Sequence, residues 1–358
     1  MDEAGLSEQL GGELLSPGLV RVIRSVPLDR RHGAVDLAAI RTRGALLPDP
    51  CDGAAEGWLL LDTETSGLAG GTGTLVFVLG MARVGREAIE TCQLLLTAFA
   101  GERAMLEEAA RWAGRGRTLV SFNGKTFDLP LLAARARLGR VTDPLGGLAH
   151  LDLLHPVRRA FGRVWPDCRL GTAERALLGF ERDGDLPGAE APGVWLDWLR
   201  RRDGSRIGAV LRHNHWDLVS LAALALRLGE VYRHPGRWGA DTLAVARAWL
   251  ARDREGRARE ILVAHRGDLG PDGLLELARL HRRAGAWRKA CAIWRALAAD
   301  EPEAWEQLAK YHEHVARDYG EALGWASRLP STPEHEHRRR RLQRKLAGRE
   351  AQASLLPA

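Results

Sequence analysis

The sequence predicts an α/β domain built on one mixed sheet, followed by an all-α domain of helical repeats. Three apolar, strand-like runs follow one another at 58–65, 75–84 and 89–96, and helix and strand then alternate as far as residue 138. Three antiparallel strands followed by alternating helix and strand are typical of a single mixed sheet with helices on both faces. After Pro235 no strand-like alternation remains, so the rest of the chain is predicted to be helical.

The elements are predicted in order from periodicity and from the residues that interrupt it. Residues 1–50 contain Gly, Pro and short apolar pieces, which suggests an extension packed on the α/β domain. Beyond the three strands we expect a helix at 102–113, a strand at 118–123, a helix at 127–138 and a further strand ending near Asp152. The predicted domains are therefore a 1–50 extension, an α/β domain at 51–232, helical repeats at 233–330 and a basic tail at 331–358.

Composition indicates a globular protein with a basic surface. The 358 residues are long enough for two domains, and 45% hydrophobic content supports sizeable cores. The net charge of +6 weakly favours a polyanionic partner. The four cysteines lack the spacing of zinc or redox motifs. No signal segment and no apolar run of about 18 residues is present, so we expect a cytoplasmic protein without a membrane partner.

Two carboxylates stand at the end of the first strand. The apolar run Leu59-Leu-Leu61 leads into Asp62 and Glu64, which are spaced i, i+2 and therefore share one face of the strand. Like charges at this distance repel, and they are usually kept where a proton is shared or a hard cation lies between them. Alone, such a pair is more often a solvated turn. With the downstream acids it indicates a metal site.

The second candidate, Asp128, falls in the first turn of the helix predicted at 127–138, after an Asn-Gly turn. An Asp there also serves as an ordinary cap or dipole partner. The third candidate, Asp217, lies in an apolar helical stripe that runs from 207 to 228. His213 precedes Asp217 by one turn on the same face, and Asn214 interrupts the stripe. A local surface pair of His and Asp is the alternative interpretation.

With these motifs in place, the chain resembles the DEDD exonuclease group of the ribonuclease H-like superfamily, and within it the uncharacterised bacterial YprB-like branch. Asp62 and Glu64 match its first motif, Asp128 its second and Asp217 its third, and the likeness spans about residues 51–232. One departure concerns the acid-base group. His213 occupies the spacing of a catalytic tyrosine, four residues before the last Asp, whereas the histidine branch has its His five before.

The resemblance implies a two-metal 3′–5′ exonuclease-like phosphodiesterase on single-stranded DNA or RNA. Two Mg²⁺ or Mn²⁺ ions would be its cofactors, which suit a set of oxygen ligands. Asp62 would bridge both ions, Glu64 and Asp217 would hold the nucleophile-side ion, and Asp128 would help place the second. His213 would orient or deprotonate the water. A non-catalytic nucleic-acid-binding or scaffold protein and a structure-directed endonuclease on the same fold are the alternatives.

Three polar residues are predicted to contact substrate: Asn123, Lys125 and Asn214. Lys125, three residues ahead of Asp128, is the only lysine before Lys289, and a point cation there is suited to a phosphate. A turn-solubilising role explains it equally well. The glycine-rich stretch 66–74 lacks the spacing of a nucleotide-binding loop and indicates a hairpin loop at the rim of the site.

Other polar and aromatic residues are predicted to be structural. We expect Asp152 to be an exposed acid at a strand end, although it has the alternative of supporting the site from behind. Trp195 and Trp198 are spaced three apart, which favours one buried helix face over base stacking.

The C-terminal helices recur at spacings of 34 and 31 residues, which resembles tetratricopeptide repeats. Such repeats stack and present a concave surface, so a protein or peptide partner is predicted there. A helical cap on the α/β domain is the alternative. Residues 331–358 are predicted to be partly helical or disordered.

Overall fold

The structure is a computed structural model that describes residues 1–42, 47–49, 55–67, 73–114 and 118–353, with side chains as far as residue 349. The chain divides into two compact units, Met1–Asp241 and Thr242–Ala358.

A seven-stranded mixed sheet forms the centre of the first unit. Its order is β1-β2-β7-β6-β5-β8-β9. β5 pairs in parallel with β8, and β8 pairs in parallel with β9, whereas the other pairs are antiparallel. A separate two-stranded hairpin is formed by β3 and β4. The strands are β1 (Glu13–Ser16), β2 (Leu19–Pro27), β3 (Arg31–His32), β4 (Val35–Asp36), β5 (Trp58–Thr65), β6 (Val76–Val84), β7 (Ala88–Leu96), β8 (Thr118–Ser121) and β9 (Ala149–Asp152).

Seven α-helices accompany these strands within the described part of the first unit. They are α1 (Glu3–Leu10), α2 (Glu102–Ala113), α3 (Asp128–Leu138), α4 (Leu154–Phe161), α5 (Leu170–Ala173), α6 (Ala191–Arg201) and α7 (Ile207–Arg233). A π-helical turn, Glu174–Leu178, continues α5.

Helices α2 and α7 cover opposite faces of the sheet. Arg21 on β2 lies opposite Leu94 on β7, and it donates to Glu108 of α2. The next residue, Gln93, donates to the carbonyl of Leu211 on α7 instead. Because successive residues of a strand point to opposite faces, the two helices lie on opposite sides. This explains why β6 is buried along nearly its whole length.

The N-terminal segment contributes to the sheet itself. β2 pairs with β7 over nine residues, from Leu19 with Leu96 to Pro27 with Ala88, and β1 then forms the outer strand. The hairpin of β3 and β4 lies against the π-helical turn, where Ala34 donates its N–H to the carbonyl of Leu178 at 2.5 Å. The segment is thus an integral part of the first unit.

The second unit is helical throughout its described part. Consecutive helices pack on one another as antiparallel neighbours joined by short breaks. The helices are α8 (Thr242–Leu250), α9 (Glu255–Ala264), α10 (Pro271–Arg283), α11 (Trp287–Leu297), α12 (Pro302–Tyr311), α13 (Tyr319–Ser327) and α14 (Pro333–Ala353), with a π-helical turn at His312–Ala316.

These elements confirm the predicted fold class, a mixed sheet followed by an all-helical region. The helix predicted at 102–113 has those bounds, and the strand predicted at 118–123 ends at Ser121. The predicted basic tail carries a well-formed helix, α14. Its Leu342 is fully buried against Ala309, Ala322 and Ala326, and this packing explains why such a polar sequence is held in place.

Candidate metal centre and cleft

The first two acids lie together on the α7 face of the sheet. Asp62 is opposite Gly80 on β6, which is in turn opposite Gln93 on β7. Glu64 follows two residues later on the same face and is 9% exposed. Both are near the carboxyl end of β5, the end at which sites of parallel strands form.

Asn214 of α7 positions Asp62. Its Nδ2 donates to Asp62 Oδ2 at 2.8 Å and to the Asp62 carbonyl at 3.2 Å, and its Oδ1 accepts from Gln93 Nε2 at 2.8 Å. The side chain is fully buried. We expected Asn214 to contact substrate, and its burial places it behind the acid instead. It satisfies the requirement that a polar group in an apolar stripe find a partner.

The third acid, Asp128, begins α3 and is 6% exposed. Thr63 Oγ1 donates a hydrogen bond to its Oδ1, which links the start of α3 to β5. The turn before Asp128 is fixed by Asp152 at the end of β9. Asp152 Oδ1 accepts from the N–H of Asn123 at 2.8 Å, and Oδ2 accepts from the N–H of Lys125 at 3.0 Å.

The prediction that Asp152 is an exposed acid was therefore wrong, because this residue is 2% exposed. Its carboxylate replaces water as the partner of two backbone N–H groups in the turn that leads to Asp128. The turn also needs a left-handed residue, and Asn123 supplies it with φ 70°.

The fourth acid, Asp217, meets His213 and Glu64. The Nε2 of His213 lies 3.5 Å from Asp217 Oδ2, one helical turn away on α7. One ligand atom each from Glu64, His213 and Asp217 can be chosen so that all three lie within 4.8 Å of one another. Such a trio of two carboxylates and one imidazole can hold a divalent cation.

Burial and mutual repulsion raise the pKa values of this cluster. Desolvation is the main cause for each acid. The pKa of Glu64 rises to about 8, helped by the charges of Asp217 and Asp128. The pKa of Asp128 rises to about 6, and that of Asp62 lies well above its ordinary value because Asp217, Glu64 and Asp128 are close. The ionised form of these acids is therefore disfavoured in the protein alone, and a bound cation would stabilise it.

Three residues outside the predicted set complete the site. Arg182 donates to Asp217 and, through Nε and Nη2, to both carboxylate oxygens of Glu174 at 2.9 and 2.6 Å. Asp185 lies 2.8 and 2.9 Å from Nδ1 of His213. All three lie in residues 165–205, which we call the insert. The charged run Glu181-Arg-Asp-Gly-Asp185 was the signal that the sequence analysis overlooked.

A cleft of about 680 Å³ opens in front of the acids. Its walls combine the acidic cluster with arginines from the insert; they include Asp62, Asp217, His213, Arg169, Arg175 and Arg182. Its volume falls within the range of ordinary small-ligand sites, about 300–1,000 Å³. Five acids and three arginines line the cleft, and the exposed Arg169 and Arg175 are available to an anionic group of a ligand.

The remaining predicted residues lie at varied depths. Asn123 and Lys125 are exposed on the turn before α3. Trp195 and Trp198 are 1% and 0% exposed, and their indole N–H groups donate to the carbonyls of Leu96 and Thr97, which confirms a buried helix face. Residues 68–72 of the glycine-rich loop and Cys51 lie outside the described residues. Cys92 and Cys291 are buried, and Cys168 is half-buried.

Comparison with known proteins assigns this fold and site to a class. Residues 59–228 match the family model of the RNase_H superfamily, which supports an RNase H-like assignment of this part of the chain. It is also 30% identical over 274 residues to the uncharacterized protein YprB of Bacillus subtilis (strain 168). The alignment covers 73% of this chain and 66% of YprB.

The superfamily indicates a nuclease-type activity and the use of divalent metal ions, and the residues present fit such ions. Carboxylate oxygens are the ligands that Mg²⁺ and Mn²⁺ prefer. Burial, and after it the neighbouring acids, raise the pKa values of Asp62 and Glu64, and a bound cation would offset both effects. No helix in the described part of the chain has the length and apolar character needed to cross a membrane.

Proposed function

We propose that the chain is a metal-dependent phosphodiesterase that removes nucleotides from the 3′ end of single-stranded DNA or RNA. The observation that carries the proposal is that Asp62 and Asp217 line one cleft, while burial and then the nearby charges of Asp217, Glu64 and Asp128 raise the pKa of Asp62. These acids come from β5, α3 and α7, so only the folded chain brings them together.

The four acids are the proposed metal ligands. Asp62 is central, because the charges of the other three all act on its carboxyl group, which Asn214 holds. Ligand atoms of Glu64, Asp217 and His213 lie within 4.8 Å of one another, whereas Asp128 accepts a hydrogen bond from Thr63. Two divalent ions at such a site stabilise charge on the attacking and leaving oxygens and lower the pKa of a water.

His213 is proposed to orient or deprotonate the attacking water. Asp185 lies against its Nδ1, an arrangement that fixes the imidazole tautomer and turns Nε2 toward Asp217 and the cleft. Because the role depends on which nitrogen faces the water, Asp185 acts as a positioning residue for His213.

The substrate class follows from the cleft. Exposed Arg169 and Arg175 lie on its wall, and exposed Lys125 lies on the turn before α3, so phosphates upstream of the cleaved bond have cationic partners. The volume of the cleft favours a strand end over a paired duplex. The cleft and its cationic residues therefore support exonucleolytic action on single strands. The proposed 3′–5′ direction of cleavage comes from the DEDD resemblance.

The direct test uses end-labelled single-stranded and duplex oligonucleotides with Mg²⁺ or Mn²⁺. We expect a ladder of shortened single strands from the unsubstituted chain. Asp62→Asn and Asp217→Asn should each lower kcat by about 10³-fold or more, because each removes charge from the proposed metal ligands. Both variants should keep the circular dichroism spectrum of the parent.

The other outcomes of this test separate the alternatives. A single internal cut at a junction would indicate a structure-directed endonuclease, and binding without cleavage would indicate a non-catalytic binding protein. Full activity in either variant would remove the assignment of the acids.

The second unit, Thr242–Ala358, is the part of the chain for which we propose a binding role. Its stacked helices resemble tetratricopeptide repeats in spacing, and we propose that they dock a protein or peptide partner.

A further inference from the structure

Arg182 is a cation inside a cluster of acids, and the proposed function leaves it without a role. Its side chain is 12% exposed and pairs with Glu174, Asp185 and Asp217. A site that collects divalent cations seldom gains from a permanent positive charge against one of its ligands, because like charges repel. The position of Arg182 therefore calls for an explanation.

Glu174 fixes the arginine from behind. It is 1% exposed and receives two hydrogen bonds from Arg182, through Nε and Nη2. Its Oε1 also accepts from Ser220 Oγ, which in turn lies 2.8 Å from His32 Nε2 on β3. Both Ser220 and His32 are buried. This anchor is built from three separate segments and does not depend on Asp217.

The other side of the guanidinium faces the cleft, where Nη2 is paired closely with Asp217 and only Nη1 is held loosely. Nη1 lies 3.3 Å from Asp185 and 3.3 Å from Nδ1 of His213, which are long contacts for a charged donor. A guanidinium has five N–H donors, so one anchored through Nε and Nη2 retains donors for an anion in the cleft.

We propose that Arg182 is a catalytic residue that pairs with Asp217 while the metal is absent and contacts a phosphate oxygen of the substrate once Asp217 holds the metal. The inference rests on the proposed function and adds a residue to it. Glu174 keeps the guanidinium in place during the exchange, so its planar fork meets the phosphate without further ordering. Charge that develops on the phosphoryl oxygens is then stabilised by a group already in position.

The proposal predicts effects of opposite sign for one substitution. Arg182→Gln removes a cation that competes for Asp217, so Mn²⁺ should bind about tenfold more tightly. The same change removes the phosphate contact, so kcat/KM on an end-labelled single strand should fall about 10²-fold or more. A merely structural ion pair would lower both metal affinity and activity.

Mn²⁺ affinity would be measured from the electron paramagnetic resonance of free Mn²⁺, without substrate. Arg21→Gln is the matched control. Arg21 also pairs with two carboxylates, Glu13 and Glu108, in the same unit, but on the α2 face of the sheet. This variant should leave Mn²⁺ affinity and kcat/KM within about twofold of the parent, since distant sites act independently.

A second variant guards against misfolding. Arg182→Gln leaves Glu174 buried and unpaired, which is costly. The double variant Glu174→Gln/Arg182→Gln replaces both charges by amides, and it should show the same tighter Mn²⁺ binding.

Unchanged or weaker Mn²⁺ binding in the folded variants, or unchanged kcat/KM in Arg182→Gln, would overturn the proposal. If the unsubstituted chain bound no Mn²⁺, the proposed function would fail and this inference with it. That result is distinguishable because it is seen before any substitution is made.

Discussion

The position of Asp62 depends on a residue that has no side chain. A Cβ on Gly80 would lie 2.2 Å from Asn214 Oδ1, so only glycine leaves room for the amide that holds Asp62. Gly80 lies opposite Asp62 on the neighbouring strand, and Asn214 arrives from α7. Three residues that are distant in sequence thus fix one carboxylate.

The four acids were recognisable in the sequence as candidates, because Asp62 and Glu64 end an apolar strand, Asp128 falls in the first turn of a helix and Asp217 lies in the apolar stripe of another. Their partners were not. Gly80 and Glu174 have no local pattern that marks them, and their roles arise from contacts made across the fold. Asn214 was singled out correctly as a polar interruption, but only the fold shows that it faces inward.

Glu64 gives a prediction about pH. Its pKa is raised from 4.5 to about 8, chiefly by burial and then by Asp217 and Asp128. The folded state therefore holds the proton more tightly than the unfolded state does. The stability that this provides is complete below pH 4.5 and is lost as the pH rises toward 8. We expect the melting temperature of the metal-free protein to fall across that window.

The comparison variant is Glu64→Gln, in which the melting temperature should depend less on pH over the same range. Saturating Mn²⁺ should raise the melting temperature of the parent most at the upper end, where Glu64 must otherwise carry an unpaired charge. Differential scanning calorimetry in chelator and in Mn²⁺ measures both effects. A pH dependence equal in parent and variant would contradict the account of Glu64.

At the scale of elements, several acids of the site lie at or just after the carboxyl ends of β5, β8 and β9. Asp62 and Glu64 belong to β5, the turn before Asp128 follows β8, and Asp152 ends β9. Parallel strands bring such ends to one edge of a sheet. Asp152 then joins two of the elements, since it accepts hydrogen bonds from the turn that follows β8.

Substitution of Asp152 tests this connection. In Asp152→Asn one carboxylate oxygen is replaced by an amide NH₂ group, which cannot accept a hydrogen bond. Either the N–H of Asn123 or the N–H of Lys125 then loses its partner. Denaturant unfolding should show a loss of about 1–3 kcal/mol, the cost of a buried backbone group without its partner. Metal-dependent cleavage should also weaken, because the turn leads directly to Asp128.

Asp143→Asn is the control for that substitution. Asp143 is exposed and also accepts from a backbone N–H, that of Leu145 at 3.0 Å. Its replacement should change the free energy of unfolding by no more than about 0.5 kcal/mol. Equal losses in the free energy of unfolding at the two positions would show that the buried hydrogen bonds of Asp152 contribute no more to stability than the exposed one of Asp143.

The central elements were predictable because their patterns are strong. The helix at 102–113 and the strands β5, β6 and β7 agree with the sequence to within about one residue. The two N-terminal strands were missed, since β1 has four residues and β2 contains two arginines and a proline. The helix bounds within the insert, residues 165–205, were not predicted either. α5 has four residues and passes into a π-helical turn, and neither gives a clear period.

At the scale of the whole molecule, the N-terminal segment and the insert meet behind the site. His32 of β3 reaches Ser220 of α7, and Ser220 donates to Glu174. The ring of His32 also packs on Phe180, with the centroids 4.0 Å apart. A domain defined by residues 51–232 alone would lack this support. The helices of the second unit form their own core, centred in part on Ala309, Ala322 and Leu342.

We propose that Asp62, Glu64, Asp128 and Asp217 together bind divalent cations. Crystals grown without metal and soaked in Mn²⁺ test it directly through anomalous scattering. The account predicts two Mn²⁺ peaks among these four carboxylates, at about 3.5–4 Å from each other, and loss of at least one peak in Asp62→Asn. Anomalous density that is absent from this cluster, or that survives unchanged in the variant, would contradict it.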